Sequence, residues 1–445
     1  MNLRKVVGLI TEYNPFHNGH KFHIDEAKRL TGADYVIAVM SGSFVQRGAP
    51  AIIDKYSRAR MAIENGVDLV FELPVCFSTA SAEFFAHGAV SLLDKLGVID
   101  CICFGSECGD IELLTTAAQL LTDTRVLFDE TLQAYLKKGY SYPAARTEAI
   151  LNTLKMQELP DGEQIGRILN EPNNILGIEY IKALRRFGSA MEPVTIQRKD
   201  AHYHEKALSG ADANPSGDEI SLTENDLTDN IAAISSATAI RNALINDPDT
   251  NMRIDRIKAS VPENVFNILR ENFLRTFPIT EEDFAEIIHY RLIYTDNNSL
   301  TEYMDLSADM ADRIKNIRDT NCSIEEFYKI IKSKNLTLTR INRALLHIML
   351  NIRKKDMEEY CKNGYSQYAR LLGLKKDASF LLRKIEKAGA LPVITRLSRA
   401  DRQLTPLGMQ MLKEDINATH LYNRIVYGKY KAEILNEYKH RICIL

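Results

Sequence analysis

The 445 residues contain no uninterrupted apolar run of membrane length, so the sequence offers no spanning helix. The start, Met1-Asn2-Leu3-Arg4-Lys5, is followed by only five apolar or glycine residues before Thr11 and Glu12, too few for the apolar region of a signal peptide. Seven cysteines form no C-x-x-C pair and no zinc-ligand spacing. Cys101 and Cys103 alternate on an apolar run and read as buried thiols, so a cytoplasmic protein is expected. Net charge is scarce too, at −3, but it is unevenly spread. Residues 1–250 carry 23 Lys+Arg against 34 Asp+Glu, 251–350 carry 14 against 15, and 351–445 carry 19 against 10. A basic C-terminal part suits contact with a polyanion, and equally a set of solvated helix faces.

What the chain does have is one dense string, Glu12-Tyr13-Asn14-Pro15-Phe16-His17-Asn18-Gly19-His20. Before it, Val6 to Ile10 reads as a buried parallel strand; after it, Lys21 to Leu30 has the mixed pattern of an exposed helix. The two histidines therefore sit where a first strand hands over to a first helix. In an open α/β sheet this is the crevice where ligands bind. A helix start there offers unpaired N–H groups to a phosphate, and glycine lets the phosphate approach the backbone. Imidazoles beside an α-phosphate can donate hydrogen bonds to charge that grows as a nucleophile attacks.

Length predicts two or more domains. Further strands are expected at Tyr35–Met40, Val67–Leu73, Val98–Phe104 and Pro193–Arg198, separated by helical stretches at 54–65, 80–96 and across 109–170. That alternation predicts a doubly wound parallel α/β sheet with right-handed crossovers, occupying residues 1–250. Within it, the acidic segment 205–230 reads as a flexible loop, compatible with a lid but better taken as an insertion. Ser235-Ser236-Ala237-Thr238-Ala239-Ile240-Arg241 then carries an N-cap signal and a second phosphate-holding helix start. Asp247-Pro248-Asp249 breaks the chain, and residues 251–445 are read as an all-α, basic domain.

The string Pro15-Phe16-His17-Asn18-Gly19-His20 resembles the signature of the HxGH nucleotidyltransferase superfamily. The usual superfamily string has a hydroxyl residue and then Phe-Asp-Pro, where this chain has Glu12, Tyr13, Asn14 and Pro15. The longer string is similar to that of one narrower group, the tRNA(Met) cytidine acetate ligases. So are Ser41 to Ile52, Glu72-Leu73-Pro74 with Ser81 to Ala86, and Phe104-Gly105-Ser106-Glu107.

The resemblance implies an ATP site made by Ile10-Thr11-Glu12-Tyr13-Asn14-Pro15-Phe16-His17-Asn18-Gly19-His20-Lys21-Phe22-His23, with Gly105, Asn173, Arg198, Ser236, Thr238 and Arg241. Catalysis falls to His17 and His20. It implies acetate as second substrate, an acetyl-adenylate intermediate, and the wobble cytidine of elongator tRNA(Met) as acceptor, giving N4-acetylcytidine. Magnesium is expected with ATP, with no tightly bound cofactor, no dedicated protein metal site, no membrane and no protein partner. Arg340, Arg343 and Arg370 are the candidate tRNA contacts. An adenylyltransferase of a small cofactor precursor is the alternative, and a tRNA-binding protein with a vestigial nucleotide site is another.

Overall fold

The computed structural model describes residues 4–138, 140, 145, 148–153, 162–198, 236–249, 252–320, 322–333 and 336–445. The acidic segment 205–230 and Ser235 lie outside the described residues. Among the described residues, no helix is long and apolar enough to cross a membrane.

Five parallel strands form the heart of the molecule: β1 (Val6–Thr11), β2 (Tyr35–Ser41), β5 (Leu69–Leu73), β6 (Cys101–Ser106) and β7 (Glu192–Gln197). Between β2 and β5 lies a small antiparallel ribbon, β3 (Phe44–Val45) with β4 (Ala49–Pro50). The parallel strands are arranged β5-β2-β1-β6-β7, so the chain steps outward from β1 on one side, then returns to its other side with β6. Val7 pairs with both Val36 and Cys101. Helices cover the sheet, among them α1 (Asn18–Thr31), α2 (Lys55–Glu64), α3 (Ala82–Lys95) and α4 (Pro172–Phe187). The β1/β6 boundary is the topological switch point, where the carboxyl ends of the strands leave a crevice.

α5 (Ala237–Asn246) packs on the N-terminal sheet. The C-terminal part is helical in the main, including α6 (Leu338–Leu350) and α7 (Pro406–Tyr430). Among its described residues, three strands are the exceptions. β8 (Ala369–Leu374) runs antiparallel to β5, and both β9 (Val393–Ile394) and β10 (Cys443–Ile444) pair with β8. The run Ala-Arg-Leu-Leu-Gly-Leu is too short for periodicity to separate strand from helix, and its partner lies almost three hundred residues upstream. The resulting sheet is shared by the two ends of the chain.

A buried four-charge cluster fastens this junction. Lys55 Nζ donates to Glu72 Oε1 at 2.8 Å, to Glu437 Oε2 at 3.1 Å and to Thr419 Oγ1 at 2.9 Å. Arg370 sits 3.1 Å from Glu72 Oε2 and also bonds Glu437 and the Tyr56 hydroxyl. Two cations thus meet two carboxylates out of water. Such a set gains little over an apolar packing of the same shape, but losing one member strands a charge. Replacing Arg370 with Met is expected to destabilise the protein by about 3–5 kcal/mol in urea unfolding. A cost under about 1 kcal/mol would contradict that role.

Candidate active site

The histidine string occupies the switch point. β1 ends at Thr11, Tyr13 takes a left-handed φ of 47°, and the Asn14–Pro15 peptide is cis, turning the chain back toward α1. His17 is the N-cap of α1. Its Nδ1 accepts from Gly19 N at 3.0 Å, while His20 Nδ1 accepts from His17 N at 3.3 Å. This reciprocal arrangement satisfies two donors that a helix start would leave open. The rings stack with centroids 3.8 Å apart and planes 29° from parallel. Tyr13 and Phe16 enclose His20, with centroids at 4.9 and 5.5 Å.

This geometry settles the protonation of both rings. A nitrogen that accepts from a backbone N–H carries no proton, so each neutral imidazole holds its hydrogen on Nε2. Burial lowers the His17 pKa to about 3, with the Arg198 and Arg241 charges adding to it. Burial likewise drives His20 well below the ordinary value, helped by His17 and His23. His23, one turn further along α1, is lowered to about 4 by burial and then by Arg198. Neither histidine of the pair is a general acid at neutral pH. They are fixed neutral N–H donors.

Positive charge comes from two other elements. Arg198, just past β7, places Nη1 3.3 Å from Asn173 Oδ1. Gly105 on β6 faces it, since a Cβ there would lie 3.2 Å from Arg198 Cγ. Arg241 on α5 donates to the Asn14 carbonyl at 2.8 Å and to Thr238 Oγ1 at 3.0 Å, tying α5 to the histidine loop. Ser236 caps α5, accepting from Ala239 N at 3.1 Å. Two helix starts, two guanidinium groups and two imidazole donors therefore converge on one crevice, a setting for a polyphosphate.

A profile of the HIGH Nucleotidyl Transferase family matches residues 4–222 and 219–437. A tRNA(Met) cytidine acetate ligase of Thermoanaerobacter sp. (strain X514) is 37% identical over 418 residues, covering 94% of each chain. That of Clostridium perfringens (strain SM101 / Type A) is 38% identical over 94% of each. The crystal structure of Thermotoga maritima TmcAL bound with alpha-thio ATP superposes with a TM-score of 0.85 at 31% identity, covering 99% of both chains. The chain belongs to the tRNA(Met) cytidine acetate ligase family.

Seen as a member of that ligase family, the chain sorts its two adjacent asparagines clearly. Asn174 is fully buried and structural: its Oδ1 accepts from Glu107 N and Cys108 N, at 2.9 and 3.2 Å. Asn173 faces Arg198 and is held by Glu107 Oε1, which accepts from its side chain at 2.6 Å. Lys21 turns outward to pair with Asp25 at 2.5 Å, and Phe22 is 37% exposed.

Of the three arginines expected to meet RNA, two are turned inward. Arg370 is 3% exposed within the four-charge cluster, where no phosphate can reach it. Arg343 grips Asp305 through two bonds of 2.8 and 3.2 Å. Its backbone also presses on the turn between β3 and β4, since a Cβ on Gly48, at φ +77°, would fall 2.4 Å from Arg343 N. Arg340 is half-buried and donates to the Asp305 carbonyl.

One residue of consequence gave no sequence signal. Arg58 looks like an ordinary surface cation of an amphipathic helix, yet it is fully buried. It donates to the carbonyls of Ile53 (3.1 Å), Glu12 (2.7 Å), Ser41 (3.0 Å) and Gly42. It thereby joins the histidine loop to the loop after β2, and Glu12 in turn accepts from Gln46 N at 2.8 Å.

The depressed histidines give the ligand-free protein a defined pH response. The unfolded chain binds protons near pH 6.5, whereas the folded one refuses them until much lower. Their stability contribution is thus complete above about pH 6.5 and lost as pH falls toward the folded values. His20→Asn should flatten the stability-versus-pH curve between pH 6.5 and 4.5 by about 1.4 kcal/mol per pH unit. Parallel curves for the two proteins in urea titrations would contradict this.

Proposed function

We propose that this chain uses ATP and acetate to acetylate the wobble cytidine of elongator tRNA(Met) in the cytoplasm. The observation that carries the reading is the pair of neutral imidazoles at the switch point, His17 buried and His20 half-buried, flanked by Arg198 and Arg241. An acetate oxygen attacks the α-phosphorus, the α–β bridging oxygen leaves with pyrophosphate, and acetyl-adenylate remains. The cytidine exocyclic amine then attacks the acetyl carbon, AMP departs with the adenylate oxygen, and the amine releases a proton. His17 and His20 donate Nε2–H bonds to the phosphoryl oxygens as charge builds there. Arg198 and the Ser236–Arg241 helix start hold the outer phosphates. Magnesium would arrive with ATP as part of the substrate; the carboxylates of the described residues form no metal-binding cluster.

Removing one preorganised donor typically slows such a step by about 10²–10³-fold. His20→Ala should therefore cut acetate-dependent adenylation by about that factor while leaving tRNA affinity nearly intact. Lost tRNA binding with unchanged acetyl-adenylate formation would reverse the assignment. The reaction itself is tested with ATP, isotope-labelled acetate and unmodified elongator tRNA(Met), followed by nucleoside mass spectrometry. Label on cytidine that depends on both ATP and acetate supports the reading. ATP consumed with another small molecule, and no labelled nucleoside, would point instead to adenylyl transfer onto a cofactor precursor.

A further inference from the structure

Helix α7 is the longest helix among the described residues, and its two sides differ sharply. The inner side is built into the catalytic half of the protein. Asp415 accepts from Val75 N at 2.7 Å, and the Tyr422 hydroxyl donates to the Ala51 carbonyl at 2.8 Å. The next residue, Ile52, donates to Asn14 Oδ1 at 2.8 Å, within the histidine loop. α7 thus stands one short relay from the crevice.

The outer side carries Lys413, Asn417, His420, Arg424 and Tyr427, spaced so that all five share one face, and the helix is capped just beyond by Lys431. That stripe runs about 21 Å. None of its residues is acidic. Only two residues of the helix are acidic, and neither opposes the stripe: Asp415 is buried, and Glu414 lies against the Tyr360 hydroxyl at 2.8 Å. Burial pushes the Glu414 carboxyl up to about 8, so it is largely uncharged at neutral pH. Two tyrosines stand out from the surface here, Tyr427 at 44% and Tyr438 at 54% exposure. Arg424 lies over the Tyr427 ring at 5.3 Å, and Tyr438 stands 6.5 Å from the His420 ring. Cations and aromatic faces lie together on this side of the helix, and the one acidic neighbour at its N-terminal end, Asp356, accepts from Gln410 Nε2 at 3.0 Å; this is the composition that tracks a single-stranded or loop nucleic acid.

We propose that this stripe is an RNA-contact surface of the protein, its cations seated on phosphates of the substrate tRNA, with Tyr427 and the neighbouring Tyr438 offering ring faces to unpaired bases. The proposal rests on the reading of tRNA as acetyl acceptor. It replaces the inward-facing Arg343 and Arg370 with groups that reach solvent.

The test uses the full chain, unmodified elongator tRNA(Met) and a series of salt concentrations. Lys413→Gln with Arg424→Gln should weaken binding about tenfold at low salt and make the log–log salt slope shallower by about 1.5, because two phosphate contacts are lost. Tyr427→Ala should weaken binding about tenfold with the slope retained. Acetate-dependent exchange of pyrophosphate into ATP, measured without RNA, should stay at the wild-type rate in both. Unchanged affinity and slope, with acetylation of tRNA by the wild type intact, overturns the surface and spares the proposed function. A wild-type chain that binds no tRNA removes both. If exchange falls with binding, the charge-retaining pair Lys413→Arg with Arg424→Lys must restore RNA affinity, and its failure to do so overturns the proposal. Stripe-dependent binding to phosphatidylglycerol vesicles, with tRNA affinity unmoved, overturns it as well.

Discussion

Everything at the crevice depends on two backbone N–H groups that point at histidine Nδ1 atoms. By accepting at Nδ1, His17 and His20 close the start of α1, and the same two bonds leave each Nε2 protonated. Capping and the choice of tautomer are therefore one event. A helix start needs acceptors for its open donors, and here the acceptors are rings whose far nitrogens stay protonated. Burial by Tyr13 and Phe16, with positive charge from Arg198 and Arg241, keeps the rings neutral. In the proposed reaction a neutral donor would lose no proton and would need no reorganisation as charge appears.

The surrounding structure holds that arrangement from three directions. Arg58 fixes the histidine loop to the loop after β2 through carbonyl oxygens alone. Glu107 orders the start of α4 and with it Asn173. The Lys55–Glu72–Arg370–Glu437 cluster secures β8 and the C-terminal segment against the sheet. Polar groups in each case do work that apolar packing cannot, because they select one register and one loop geometry. That specificity is bought with desolvation, which makes single replacements at these positions costly.

Much of this was legible in the residues. The five parallel strands were, because continuous apolar runs bounded by Gly, Pro and polar loops leave few alternatives. The place of the histidine string was too, since strand, His-x-Gly-His and helix follow one another directly along the chain. β8 escaped because a short apolar run carries no decisive period and its partner is remote in sequence. Arg58 and Arg370 escaped for a related reason: a cation in an amphipathic pattern reads as solvated, and only the fold reveals carbonyls or carboxylates around it. The choice between Asn173 and Asn174 needed the Glu107 side chain to be placed.

The most direct measurement is the imidazole nitrogen NMR spectrum of ¹⁵N-histidine-labelled protein near pH 6, with His17 and His20 assigned by single substitution. The expected result is a bare Nδ1 and a protonated Nε2 on both rings, with no sign of imidazolium at a pH where a free histidine is mostly charged. Protonation at Nδ1, or a doubly protonated ring, would contradict the neutral-donor site.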